Sequence, residues 1–81
     1  MAKQKKKITT KIIKIDEELC PSQEILINGI PADLWYIEGE DEPTVELTSF
    51  FHFRLSEIKE LVEVMTKFDK DSRKALDKAM K

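Results

Sequence analysis

Polar and apolar side chains sort by alternation onto two faces over residues 44–53, Ser49 and Phe50 excepted. Val45, Leu47, Ser49, Phe51 and Phe53 share one face, and Thr44, Glu46, Thr48, Phe50 and His52 share the other. A period of two marks a strand with one face buried and one wet. Directly afterwards the period lengthens. Ile58, Leu61, Val62, Met65, Phe68, Ser72, Ala75, Leu76 and Ala79 recur at three- and four-residue steps, which predicts an amphipathic helix able to cover the apolar face of that strand. Ser56 is a favoured N-cap residue, and Glu57 and Glu60 suit the positive end of the helix dipole. Lys67, Lys70, Arg73 and Lys74 suit the negative end. Asp69-Lys70-Asp71-Ser72 holds several cap-type residues, so the helix is either continuous or broken near Asp69 into a long and a short piece.

Upstream the pattern is shorter in range. Residues 1–7 carry four lysines and no apolar period, and read as a disordered basic tail. Residues 8–16 are β-branched and lysine-rich, which predicts a first strand. The adjacent Ile12 and Ile13 require either burial on both faces or a bulge. Residues 17–23, around Cys20-Pro21-Ser22, read as a turn, and 24–27 as a second strand. Asn28-Gly29, flanked by Ile27 and Ile30, suits the positive φ angles of a type I′ hairpin turn. Pro31 puts the returning strand at an edge or starts it with a bulge, 34–37 continue or restart it, and 39–43 form an acidic turn. The expected fold is α+β: an antiparallel sheet of three or four strands with the C-terminal amphipathic helix on one face. After the 1–7 tail, residues 8–81 are expected to form a single domain.

With 81 residues the core is thin, just enough for independent folding. The basic start is followed by no apolar run, so no secretory signal is expected, and no segment has the length of a membrane span. Cys20 is the single cysteine, which excludes an intrachain disulfide and suggests a reducing cytoplasm. With His52 the single histidine, a zinc site of the usual Cys/His type cannot be assembled in one chain. Two glycines give no phosphate-cradling loop. No cofactor, metal, small-molecule substrate or catalytic constellation is expected, and the chain reads as non-enzymatic.

Charge changes the picture more than composition does. Residues 1–15 hold six lysines and no acid, +6; residues 16–63 hold thirteen acids and two bases, −11; residues 64–81 hold six bases and three acids, +3. Such segregation points to a polyionic partner. Residues two apart on a strand are ~7 Å apart, and residues three apart on a helix are surface neighbours. Glu38, Glu40, Asp41, Glu42 and Glu46 are therefore the leading partner-binding residues, with Glu17, Glu18, Glu57 and Glu60 in second rank. Asp16 and Asp33 would extend the same negative surface. Gathered like charges destabilise a fold, and a cationic partner would relieve that. The bland alternative is a solvated face neutralised by the protein's own lysines.

Three functional readings follow. In the first, the carboxylates stand in for a phosphate backbone and occupy the DNA-binding surface of a basic protein. In the second, Lys3, Lys5, Lys6, Lys7, Lys11 and Lys14 hold nucleic acid directly, with salt-sensitive affinity. In the third, the chain is an acidic adaptor unrelated to DNA. Trp35, Tyr36 and Phe50 could form a stacking platform for single strands, but no base lies between Asp16 and Phe53, which disfavours that use.

Two resemblances bear on the choice. Four strands followed by a helix, joined by FHFRLSEIKEL at 51–61, resemble the layout of PC4-like single-stranded-DNA-binding coactivators. Those proteins use a basic, aromatic sheet, whereas this chain is acidic over 16–63. The size, the lysine-rich start and the carboxylate-laden centre are similar in character to small phage proteins that mimic DNA and inhibit a host nucleoid protein such as HU. That likeness implies a basic, HU-like DNA-binding protein as partner.

Overall fold

The two-residue turn at Asn28-Gly29 sets the frame. Both residues take positive φ, 52° and 81°, as type I′ geometry requires. In the computed structural model, which describes residues 8–47 and 52–79, this turn joins β3 (Pro21–Ile27) to β4 (Ile30–Tyr36). The closing pair is Ile27 with Ile30, and the register then runs back to Ser22 opposite Trp35. On the far side of β4 lies β5 (Pro43–Leu47), antiparallel, with Tyr36 opposite Pro43. On the far side of β3 lie two short pieces, β1 (Ile8–Thr10) and β2 (Lys14–Ile15). The architecture is α+β, an antiparallel sheet with one C-terminal helix, α1 (Leu55–Ala79).

The Ile12-Ile13 pair is resolved by a bulge. Thr10 pairs with Ile25 and Lys14 with Ser22, so three residues on one strand oppose two on the other. Ile13 packs half-buried against the core, and Ile12 is left 80% exposed. Gln23 Nε2 steadies the bulge by donating to the Lys11 carbonyl at 2.7 Å.

One face of the sheet is apolar. Ile8, Ile25, Ile27, Ala32 and Leu34 point inward and meet Leu61 and Phe68 of α1. Full burial of side chains such as Ile25, Leu34 and Phe68 stabilises by about 1.5–3 kcal/mol each. Tyr36 stacks on Phe68 with ring centroids 5.6 Å apart. Ser72 is fully buried beside the Tyr36 hydroxyl, and its own hydroxyl donates to the Phe68 carbonyl one turn back.

Several expectations are corrected. Pro21 opens β3 rather than sitting in a turn, which is where a strand tolerates a residue without an N–H. Pro31 lies within a central strand, not an edge. The two-residue turn makes Leu26–Pro31 a pair whose nitrogens face away from each other, so the hairpin asks no N–H of Pro31. Of the last strand expected over 44–53, Pro43–Leu47 is strand, 48–51 lie outside the described residues, and His52, Phe53 and Arg54 carry no regular structure, so the strand does not reach 53. The helix cap is Arg54, not Ser56. Its carbonyl accepts from Ile58 N at 3.0 Å and its own N–H donates to Glu57 Oε1 at 2.7 Å, the returning half of a capping box. The helix is continuous through Asp69-Ser72 because those polar groups find partners without leaving the helix. Of the apolar stripe, Ile58, Val62 and Ala79 are exposed, and Glu57 occupies a buried position instead. The basic tail over 1–7 lies outside the described residues.

Candidate functional site

Two tight loops meet at the end of the sheet where α1 finishes. In the first, Asp16 acts as the organiser: its Oδ1 accepts from Glu18 N and Cys20 N, each at 2.9 Å, and its carbonyl accepts from Leu19 N at 3.0 Å. Leu19 is held at φ 62°, a left-handed conformation that a branched side chain rarely adopts. In the second, Glu40 N donates to the Ile37 carbonyl at 2.9 Å, and Gly39 takes φ 87° at the position where a type II turn needs it. Nothing lies within 4 Å of where a Gly39 Cβ would sit, so the glycine serves its backbone angle rather than a close approach.

Between these loops lies an open cavity of about 700 Å³. Leu19, Pro21, Trp35, Tyr36, Ile37 and Leu76 give it an apolar floor. Asp16, Glu18, Glu38, Glu40 and Asp41 stand around it. The one cation in its lining is Arg73. That charge is already matched, since Arg73 Nε lies 3.1 Å from Asp69 Oδ1. Its Nη2 donates to the Asp41 carbonyl at 3.1 Å and so ties the acidic loop to the helix. The same Asp69 oxygen accepts from the Tyr36 hydroxyl, with the Ser72 hydroxyl 3.4 Å from it. Desolvation in this corner, and then the hydrogen bond to Asp69, push the Tyr36 phenol above its ordinary pKa.

At this end of the molecule the rim carboxylates have no ion-pair partner among the described residues. Among the described residues the ion pairs are Lys11–Glu24, Lys67–Asp71 and Arg73–Asp69, and none of them involves a carboxylate of the cavity rim. Cys20 records the field. Its thiol is pushed above the usual pKa, first by desolvation and then by the carboxylates of Asp16, Glu18 and Glu38.

A second acidic group lies on the uncovered face of the sheet. Asp33 on β4 is directly opposite Glu24 on β3 and Glu46 on β5. Like charges directly opposite each other destabilise a sheet. Lys11, 2.7 Å from Glu24, relieves one end of this row and lowers the Glu24 pKa by hydrogen bond and charge. Trp35 sits two residues along from Asp33 on the same face, ~7 Å away, and lines the cavity as well. The ladder and the cavity are thus neighbours through Trp35.

The structure sorts the expected partner-binding residues into three sets. Glu18, Glu38, Glu40 and Asp41 come together around the cavity, joined by Asp16. Glu17 and Glu42 are exposed in the same two loops, and Glu46 is exposed in the ladder. Glu57 and Glu60 depart from expectation. Glu57 is 4% exposed and accepts from Arg54 N and from Asn28 Nδ2, while Glu60 Oε2 accepts from Ile8 N at 3.1 Å. Both are engaged in holding α1 to the sheet at the far end of the molecule, so the negative surface does not extend along the helix as expected. They are drawn inward because that end offers them backbone and amide donors.

Other candidate groups take simpler places. Lys11 is paired with Glu24, Lys14 is exposed on β2, and Lys3, Lys5, Lys6 and Lys7 lie outside the described residues. No cluster of metal-ligating side chains occurs among the described residues, and no helix there is long and apolar enough to cross a membrane. The sequence does not mark Leu19, Ile37 and Leu76 as site residues, because nothing local shows that two exposed loop side chains and one half-buried helix side chain are neighbours. No family model, curated protein or solved structure matches the chain.

Proposed function

We propose that this chain is a non-enzymatic binding protein of the cytoplasm whose carboxylates engage the basic, DNA-binding surface of another protein and exclude DNA from it. One observation carries this reading. Glu18, Glu38, Glu40 and Asp41 are gathered around one cavity, and none is in an ion pair with a described lysine or arginine. Gathered charge of one sign steers a partner of the opposite sign and disfavours polyanions. A nucleoid protein of the HU type fits this demand, because its DNA-binding surface must itself be rich in lysine and arginine.

The test is competition. Labelled duplex DNA bound to an HU-type protein is titrated with this protein while fluorescence anisotropy is followed. The wild type releases the DNA, less effectively as salt rises. Reversing Glu40, Asp41 and Glu42 to lysine weakens release by about a hundredfold, on the order of 3 kcal/mol for three interfacial charges. Release that is insensitive to these reversals rules the reading out. Direct, tail-dependent binding of the labelled DNA to this protein would favour the lysine-arm alternative instead.

A further inference from the structure

The cavity floor requires more of an occupant than charge. Leu19, Trp35 and Ile37 expose 42%, 38% and 44% of their surfaces, and all three line the same concavity. Exposed apolar side chains scattered singly are ordinary, but a gathered group with a polar rim marks an interaction site. The rim here is carboxylate, which repels nucleic acid and anionic lipid alike. A plain polycation would satisfy the rim and leave the floor wet.

We propose that the cavity is a docking site for a lysine- or arginine-rich protein segment that also carries a bulky apolar side chain. The apolar group seats on Leu19, Trp35 and Ile37, and the flanking cations meet Glu18, Glu38 and Glu40. This deepens the reading of the acidic end as a partner-binding surface and rests on it: the partner is held at one anchored point as well as by a diffuse field. Charge complementarity selects the segment, and the anchor keeps it in place once salt has screened the rim. The face of Trp35 can also receive a guanidinium or ammonium neighbouring the anchor.

Trp35 is the only tryptophan in the chain, so its emission reports occupancy without a label. The probes are a short lysine peptide with a central leucine and a peptide of equal charge with serine in its place. The leucine peptide shifts Trp35 emission and binds about tenfold more tightly than the serine peptide, the effect of burying most of one leucine. Its advantage persists at salt concentrations that abolish serine-peptide binding. Ile37→Ser erases the advantage while leaving serine-peptide affinity in place, and Leu19→Ser serves as a second variant should the first fail to fold. Glu40→Lys weakens both peptides, and Glu46→Lys on the open sheet face weakens them less.

Equal affinity for the two peptides would overturn the anchor while leaving the acidic-surface reading intact. Unchanged Trp35 emission with both would show that the floor is not the binding place. Emission that changes on dilution of the protein alone would assign the cavity to a second copy of the chain and overturn the proposal. Leucine preference without displacement of DNA from an HU-type protein would keep the cavity and remove the DNA-mimic reading, so the two failures are distinct.

Discussion

The two ends of the molecule use the same residue type in opposite ways. At the hairpin end, Glu57 and Glu60 are drawn into the fold, where they accept from Arg54 N, Asn28 Nδ2 and Ile8 N. At the loop end, Glu18, Glu38, Glu40 and Asp41 stand around an apolar concavity and pair with no described lysine or arginine. A carboxylate near unsatisfied backbone donors becomes a structural clasp. A carboxylate on a loop tip among its own kind adds repulsion to the fold and is open to a partner. Acid content alone does not separate these roles. Access to a donor does.

The sharpest way to break the comparison is to remove one clasp. Glu57→Ala removes the acceptor of Asn28 Nδ2 and of the N-cap N–H of Arg54, and should lower stability by about 2 kcal/mol in urea denaturation, roughly 1 kcal/mol for each hydrogen bond. Next in size is the turn at the loop end. Gly39→Ala forces a side chain into φ 87° and should cost about 1 kcal/mol, although the site has room for the methyl group. Tyr36→Phe removes the hydroxyl that bridges β4 to Asp69, at a loss of about 1 kcal/mol.

Tyr36 is also the only tyrosine, so its ultraviolet titration is readable directly. Because its folded-state pKa is raised above the unfolded value, its contribution is complete below the unfolded pKa and is lost as pH climbs through the folded one. Absorbance should report a midpoint above that of free tyrosine, and Ser72→Ala should raise it further by removing the partner that lowers it. The smallest effect expected is at Leu19. Leu19→Gly relieves a left-handed φ and should change stability by no more than about 1 kcal/mol, while removing part of the cavity floor.

How much of this the sequence could reveal depended on the range of the signal. Asn28-Gly29 is a local instruction, and it was legible along with its consequence: a two-residue loop fixes the register of the whole hairpin. From that register alone, Glu24 opposite Asp33 and Ser22 opposite Trp35 could have been worked out, and with them part of the acidic ladder. At Ile12-Ile13 the sequence allows a bulge or burial on both faces, and only the inward demand of the core decides for the bulge. The helix and part of its face, Leu61, Phe68 and Ser72, are legible from periodicity, but its cap is not, since Ser56 has the better side chain and Arg54 has the geometry. The carboxylates of the loops could be named from charge density. That Glu57 would turn inward could not, because its partner Asn28 is far away in sequence. The cavity floor was the least legible part, since Leu19, Ile37 and Leu76 come from two loops and a helix that only the tertiary fold brings together.

The division of labour between the two ends is tested most directly by neutralising the loop end and measuring two quantities on one sample. Glu38→Gln, Glu40→Gln and Asp41→Asn are combined, and urea denaturation is run beside displacement of DNA from an HU-type protein. Stability equal to or above that of the wild type at low salt, together with loss of displacement, is the predicted result. A fall in stability comparable to that of Glu57→Ala, or displacement that survives neutralisation, would contradict the account.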